Sequence, residues 1–413
     1  MSNMSFMEKL LDGVDIGWKA LGKVSEIYDG THQTPKYTNS GVPFVSVQNI
    51  NNIYATQKYI SAEDFEKYKY KPRKGDLFMT RIGDIGTCAI VDNDEPLAYY
   101  VTLALIRANQ TIILPKFIMY VIESGIGKSE LYKRTLVHAV PIKINLGEIG
   151  KIVIPIPCPD NPEKSLEIQA EIVRILDTFT ELTTELTTEL SARKKQYNYY
   201  RDQLLSFEEG VVAWKTLGEA CDYVDYRGKT PKKTTNGIFL VTAKNIRMGY
   251  IDYQASQEFV SENDYDLVMR RGFPKIGDVL ITTEAPCGYV AQVDRENVAL
   301  AQRVIKYRSK DESLNNSFLK HYLIGGEFQR KLHRAATGST VKGIKGSNLH
   351  KLTIPIPSLS KQKEIVAILD KFDTLTNSIS EGLPREIELR QKQYEYYRDL
   401  LLSFPKPDSE VAA

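Results

Sequence analysis

Two short segments, one histidine and four cysteines are the residues of the chain that could do chemistry, and each falls short of a reaction. Asn161-Pro162-Glu163-Lys164 begins like the Asn-Pro-Pro-aromatic loop of adenine methyltransferases, but the second proline and the ring are missing. A helix cap or linker is expected there instead. Gly125-Ile126-Gly127-Lys128-Ser129 has the Gly-Lys-Ser tail of a phosphate loop, yet the glycine required five residues before Gly127 is Ile122. That run also lies in a helical stretch rather than after a strand, so it reads as a helix terminus. His32 has no histidine or aspartate at ligand spacing and reads as a loop residue. Cys88, Cys158, Cys221 and Cys287 stand far apart with no CxxC pair, which argues against structural zinc and fits a reducing cytoplasm. No DEAD-type box and no PD…ExK nuclease cluster is found. The expectation is a chain with no catalytic residue, no metal and no cofactor of its own, one that selects while others act.

The elements that must position any functional group are present twice. QYNYYRDQLLSF at 196–207 returns as QYEYYRDLLLSF at 393–404, and WKALG at 18–22 returns as WKTLG at 214–218. KIVIPIP at 151–157 answers KLTIPIP at 351–357, and EIVRILD at 171–177 answers EIVAILD at 364–370. Thr34-Pro35-Lys36 answers Thr230-Pro231-Lys232, and Gly75-Asp76 answers Gly277-Asp278. An offset of about 200 residues is far beyond a solenoid period and means duplicated domains. With 413 residues and 42% hydrophobic content, the chain can bury more than one sizeable core. No run approaches the roughly 18 apolar residues of a membrane span. MSNMSFMEKLL has no basic stretch leading into an apolar one, so no secretion signal is expected.

Net charge is only +2, but the charges are unevenly placed. Residues 226–251 hold no Asp or Glu and carry Arg227, Lys229, Lys232, Lys233, Lys244 and Arg247; residues 328–363 and 30–62 are likewise acid-free. Acid depletion at matching places in two copies is the footprint expected where a polyanion docks. The aligned loops Asp29–Lys36 and Asp225–Lys233 follow the first strand, with tips Thr31, His32, Gln33 against Arg227, Gly228, Lys229. Arg bidentate to guanine and Asn or Gln bidentate to adenine are the pairings that base-edge geometry favours. Gln48, which differs from its counterpart Lys244, and Arg81, aligned with Thr283, are therefore candidate base readers. Asn49 and Asn245, the same in both copies, read as structural turn residues. Lys36 is a further candidate DNA contact, and Lys143, Lys342 and Lys345 are expected at phosphates.

Each copy divides into two parts. Residues 1–157 and 210–357 show short β-rich runs (PFVSVQNI, GDLFMTRI; FLVTAKNI, DVLITTEA) punctuated by Gly, Pro and Asn, with helical stretches near Lys116–Leu136 and Phe318–Ala335. These predict two α+β domains. Residues 158–209 and 358–413 instead show a heptad stripe: Ile172, Phe179, Leu186, Tyr197, Tyr200 and Leu204 in one, Ile365, Phe372, Tyr394, Tyr397 and Leu401 in the other. Two nearly identical rods are expected to pack on each other, antiparallel, so that the duplication becomes a pseudo-two-fold. The first rod contains TELT-TELT-TELS at Thr180–Ser191, while Gly382-Leu383-Pro384 interrupts the second, which should be kinked or built from two pieces. Arg201-Asp202 and Arg398-Asp399 lie off the stripe and are expected at a partner interface or in an intrachain ion pair.

Two variable α+β domains, two helical segments ending in KQYxYYRDxLLSF, a tandem T-x-E-L repeat, and the TP, GD and IPIP marks resemble the specificity subunit of type I restriction–modification enzymes. The resemblance spans about residues 14–404. It implies that each α+β domain is a target recognition domain reading one half of a bipartite, asymmetric site on double-stranded DNA, the first domain reading the 5′ half. It implies that the helices set the spacing and dock two modification (methyltransferase) subunits, and that restriction subunits join that core. S-adenosylmethionine, ATP and Mg would then be bound by partners, and the location would be cytoplasmic. The alternative is a non-catalytic two-domain coiled-coil scaffold that grips protein partners, its basic patches serving acidic ones. A third reading is an enzyme whose catalytic residues match no known pattern.

Overall fold

A computed structural model describes residues 13–226, 231–338, 342–378 and 381–404. The chain forms two compact units that do not follow its linear order. One contains the residues up to Thr184 together with those from Glu388 onward, and the other is Glu185–Ile387. Each unit therefore holds one α+β domain and parts of both helical segments.

In the first α+β domain a four-stranded antiparallel sheet runs in the order β1 (Ser25–Asp29), β4 (Leu103–Ala108), β2 (Leu77–Thr80), β3 (Cys88–Ile90). The central strand β2 reads Leu-Phe-Met-Thr and is buried throughout, as expected of a strand covered on both faces. Its alternation decides which core each side chain joins. Leu77 and Met79 pack with the helices, while Phe78 faces a second cluster with Val45, Leu97, Tyr99 and Leu103. The second copy repeats the plan with β5 (Cys221–Asp225), β8 (Val304–Ser309), β6 (Val279–Thr282) and β7 (Val290–Gln292). Val279 and Ile281 again face the helical core and Leu280 the other. Each domain adds a three-stranded sheet and closes with a two-stranded ribbon, Ile16–Ala20 on Val153–Pro157 and Ala213–Thr216 on Thr353–Ile356.

The Gly-Asp pairs before β2 and β6 have a structural purpose. Gly75 and Gly277 adopt φ of +88° and +89°, which favours glycine. The aspartates they deliver are buried and ion-paired to the neighbouring strand, Asp76 to Arg107 at 2.7 Å and Asp278 to Arg308 at 2.5 Å.

The two helical stretches expected around 116–136 and 318–335 are each broken in two. Helix α1 (Pro115–Glu123) stops at Ser124, whose extended backbone and hydroxyl cap α2 (Gly125–Arg134). The long helix α3 runs unbroken over Pro162–Leu204 for 43 residues, roughly 60 Å at the helical rise. Asn161 starts it, its Oδ1 accepting from Lys164 N at 3.1 Å, and Pro162 takes the first helical position, where a proline costs no bond. In the second copy Gly325 separates α4 (Asn316–Ile324) from α5 (Gly326–Ala335). The second rod is two helices, α6 (Leu359–Asn377) and α7 (Gly382–Leu401).

The rods pair as the stripe predicts, with one displacement. In the first unit Phe179 stacks on Tyr397 with ring centroids 5.4 Å apart, and Ile172, Leu176, Leu401, Leu402 and Phe404 enter the domain core. In the second, Tyr197 and Tyr200 stack on Phe372 at 6.0 and 5.9 Å, and Ile365 and Leu369 are buried. The partner's number falls as the number along α3 rises, the order of an antiparallel pairing. Leu186 and Tyr394 are half-buried. Leu204 is only partly buried, and Leu205 is the residue inserted in the core; α3 ends there and the chain turns inward. Among the described residues no helix is long and apolar enough to cross a membrane.

Candidate nucleic-acid interface

One end of the first domain is assembled around Arg81. The sequence expectation of a base reader is corrected by burial: Arg81 is 7% exposed, and three hydrogen bonds hold its guanidinium within the domain. Its Nη1 donates to Asp29 Oδ1 at 2.7 Å and to Val101 O at 3.2 Å, and its Nε donates to Ile144 O at 3.2 Å. Arg81 thus ties the start of the 30–36 loop to Val101 and to the end of the 135–144 loop. Asp29 is also hydrogen-bonded through Oδ2 to His32 Nε2 at 2.9 Å, so His32 does have an acidic partner, three residues back. A Cβ on Gly30 would lie 2.4 Å from Tyr100 C, so only glycine lets the loop approach that closely.

On this base the loop presents His32, Gln33 and Lys36 to solvent; Thr31 is half-buried, its N–H donating to Tyr99 O at 3.2 Å. A cleft of about 530 Å³ separates the loop from residues Asp64–Tyr70. Gln48 is exposed on the short turn Val47–Asn49, which Thr102 holds by accepting from Val47 N at 3.1 Å. Lys143 is exposed at the base of the 135–144 loop, bridged to both Ile82 and Leu136.

The second domain places Lys232, Lys244, Lys342 and Lys345 at the surface. Arg227 and Lys229 lie outside the described residues. Two other cations are matched by acids that lie just beyond the acid-free tract: Lys233 pairs with Glu258 at 2.7 Å and Arg247 with Asp252 at 3.4 Å. Acid depletion along the chain therefore overstates the free positive charge in space. Asn245 is fully buried, accepting from Thr242 N and Oγ1 and donating to the carbonyls of Asp252 and Ser256, as a structural turn residue should. Burial raises the thiols of Cys88 and Cys287 and pushes Cys221 up to about 12, which keeps all three protonated and poor as nucleophiles. Among the described residues no three His, Cys, Asp or Glu side chains stand together in a way that could hold a metal ion.

Sequence reasoning missed the links between helices and domains. Asp399 Oδ1 accepts from Gly125 N at 3.1 Å at the start of α2, and Asp202 Oδ1 accepts from Gly326 N at 3.2 Å at the start of α5. The aspartate of each YYRD run thus caps the domain encoded in the other copy. The adjacent arginines pair with these aspartates, Arg201 at 3.2 Å and Arg398 at 3.0 Å. Gln169 and Gln362 are fully buried and each holds the chain entering α1 or α4, accepting from Leu114 N and Asn315 N at 2.9 and 2.8 Å. Asp177 accepts from Tyr120 Oη at 2.7 Å, and Asp370 meets His321 Nε2 at the same distance. The identity of Gln169 with Gln362 and Asp177 with Asp370 between copies was the available signal. The first tyrosines of the two YYRD runs, Tyr199 and Tyr396, are 60% and 65% exposed and each sits edge-on to its neighbour.

The type I restriction modification DNA specificity domain matches the chain twice, over residues 15–194 and 212–389. The specificity subunit of the type I restriction enzyme EcoR124I/EcoR124II from Escherichia coli is 38% identical over 99% of both chains. A chain from a structural study of complex assembly and conformational transition of the type I R-M system has the same fold, with a TM-score of 0.60 at 18% identity over 94% of this chain and 97% of that one. So does the S subunit of a type I system from M. genitalium, with a TM-score of 0.55 at 14% identity over 98% of this chain and all of that one. Two matched domains on paired helices, and a relative alike from end to end, place this chain in the family of type I restriction–modification specificity subunits, with two target recognition domains.

Proposed function

We propose that each domain reads one half of a bipartite, asymmetric site on double-stranded DNA, that the helices set the spacing, and that two modification subunits dock on the duplicated surface. Restriction subunits join that core in the cytoplasm. The chain itself is non-catalytic, and S-adenosylmethionine, ATP and Mg belong to its partners. The observation that carries this reading is the contrast between a shared framework and unshared loop tips. Gln169/Gln362, Asp177/Asp370 and Asp399/Asp202 make equivalent contacts in both units, while His32, Gln33, Gln48 and Lys143 have counterparts of different chemistry. Identical partner subunits need the shared surfaces, of which Tyr199 and Tyr396 are candidate aromatic anchors. Different half-sites need the unshared ones.

The test is to replace residues 14–157 with those of a relative of different specificity and to sequence the methylated sites. One half-site should change and the other persist. A change in both would show that the domains do not read separately. Duplex binding by the chain with its modification subunit should also weaken as salt rises; salt-independent binding would favour a protein scaffold.

A further inference from the structure

The 135–144 loop carries an apolar surface that the fold itself does not use. Val140 is 100% exposed, and Leu136, Val137 and Ile142 are 45%, 42% and 38% exposed. The loop is well held: Leu136 N donates to Lys143 O, Ala139 N to Leu136 O, Gly83 N to Ile142 O and Ile144 N to Arg81 O, all within 3.1 Å. A pinned tip of four aliphatic side chains is a surface built to be covered. Two observations say by what. Arg81 bonds both Ile144 O and Asp29, which fixes this loop beside the His32–Gln33 loop. Lys143 at its base is exposed and makes no ion pair among the described residues, which leaves it free for a phosphate.

The second copy supplies the control. Thr337 and Glu284 bridge to Gly343 as Leu136 and Ile82 bridge to Lys143, so the backbone scheme is repeated. Most residue types are not: Leu136-Val137-His138-Ala139-Val140-Pro141-Ile142 faces Thr337-Gly338-Ser339-Thr340-Val341-Lys342 in the sequence, so four large aliphatic side chains answer to one, Val341. A partner docking on both units would need like chemistry on both. The half-sites are what differ.

We infer that the Leu136–Ile142 tip reads thymine in the first domain's half-site, packing Val140 and its aliphatic neighbours against thymine 5-methyl groups in the major groove. This rests on the proposed DNA reading. The thymine methyl is the one apolar group on a major-groove base edge, and aliphatic contact is how it is recognised.

The experiment is a double-mutant cycle on the full chain assembled with its modification subunit. Val140→Ser is combined with duplexes in which each thymine of that half-site is replaced in turn by uracil, which lacks only the methyl. Because Val140 projects fully into solvent, the substitution leaves folding alone. Val140→Ser should weaken binding about ten-fold, and uracil at the contacted position about four-fold, from the transfer value of one methyl group. At that position the two losses should not add, because the second change finds the contact already gone. Additive losses at every thymine, or a half-site without an A·T pair, overturn the inference. So does a Val140→Ser defect in assembly with the modification subunit, which would make the tip a protein-docking surface. Failure of the unsubstituted complex to bind any duplex would instead sink the DNA reading beneath it.

Discussion

In the first unit Asp399 caps α2, Gln169 holds the entry to α1, and Asp177 anchors Tyr120; in the second, Asp202, Gln362 and Asp370 make the corresponding bonds. Away from the helices the units part. The tip at 136–142 carries four large aliphatic residues where its counterpart in the sequence carries one, Val341; Arg81 clamps two loops where Thr283 stands in the other copy, and there Glu284 pairs with Arg303 at 2.8 Å instead. The division falls between groups that fix geometry and groups that meet a variable partner. Divergence after duplication is therefore a map of what the two domains do differently, and the following substitutions test it.

The largest effect should come from a segment of helix α3 rather than from either domain's loops. Four helical residues advance about 6 Å with a net turn of about 40°, close to the roughly 35° twist of one base pair. Deleting Thr184–Thr187 from α3 should abolish recognition of the original site while keeping both half-site sequences, with a spacer one base pair shorter. Methylome sequencing of cells carrying the deletion reads this directly. An unchanged spacer would make the TELT repeat a plain amphipathic filler, and altered half-sites would put this segment against the bases.

Next in size are the core leucines where the rods enter the domains. Leu205 and Leu401 are 3% and 1% exposed, and truncating either to alanine should cost about 2–5 kcal/mol, read as a loss of urea resistance in its own unit. Leu204→Ala should cost less. This pair also shows what was legible in the sequence. The duplication, both rods and the β-rich domains could be read because periodicity and repetition survive without coordinates. Leu205 could not, because the heptad holds only while the helix does, and α3 ends at Leu204. Arg81 misled for a related reason: a buried arginine and a groove-reading one are the same letter. Lys233 and Arg247 look free along the chain because their acids, Glu258 and Asp252, lie on later segments.

The crossed caps give a smaller and more selective effect. Asp202→Ala should loosen α5 in the second unit and leave α2 protected, and Asp399→Ala should do the reverse, each by about 0.5–2 kcal/mol for a lost helix cap. Hydrogen exchange along the two helices separates the cases. Loosening of both helices by one substitution would show that the caps do not act unit by unit.

The smallest effect is a pH dependence confined to one unit. Tyr120 and His321 occupy the same place, each bonded to its copy of the aspartate, but only histidine titrates near neutrality. His321 is fully buried, and burial holds its pKa below the usual 6.5 despite the opposing pull of Asp370. Its Nδ1 has no hydrogen-bond partner, so a second ring proton would enter apolar surroundings unpaired. Below about pH 6.5 the unfolded chain therefore takes up the proton more readily than the folded one, and stability of the second unit falls as pH drops. Asp370 adds nothing in that window. The hydrogen bond from His321 lowers its carboxyl below the ordinary 3.8, so its contribution persists until far more acid conditions. Burial raises the Tyr120 hydroxyl, which stays protonated throughout. Protection factors in α4 should fall between pH 7 and 5.5 while those in α1 hold, and His321→Tyr should give α4 the behaviour of α1. Equal acid sensitivity in the two helices, or its survival in His321→Tyr, would place the titrating group elsewhere.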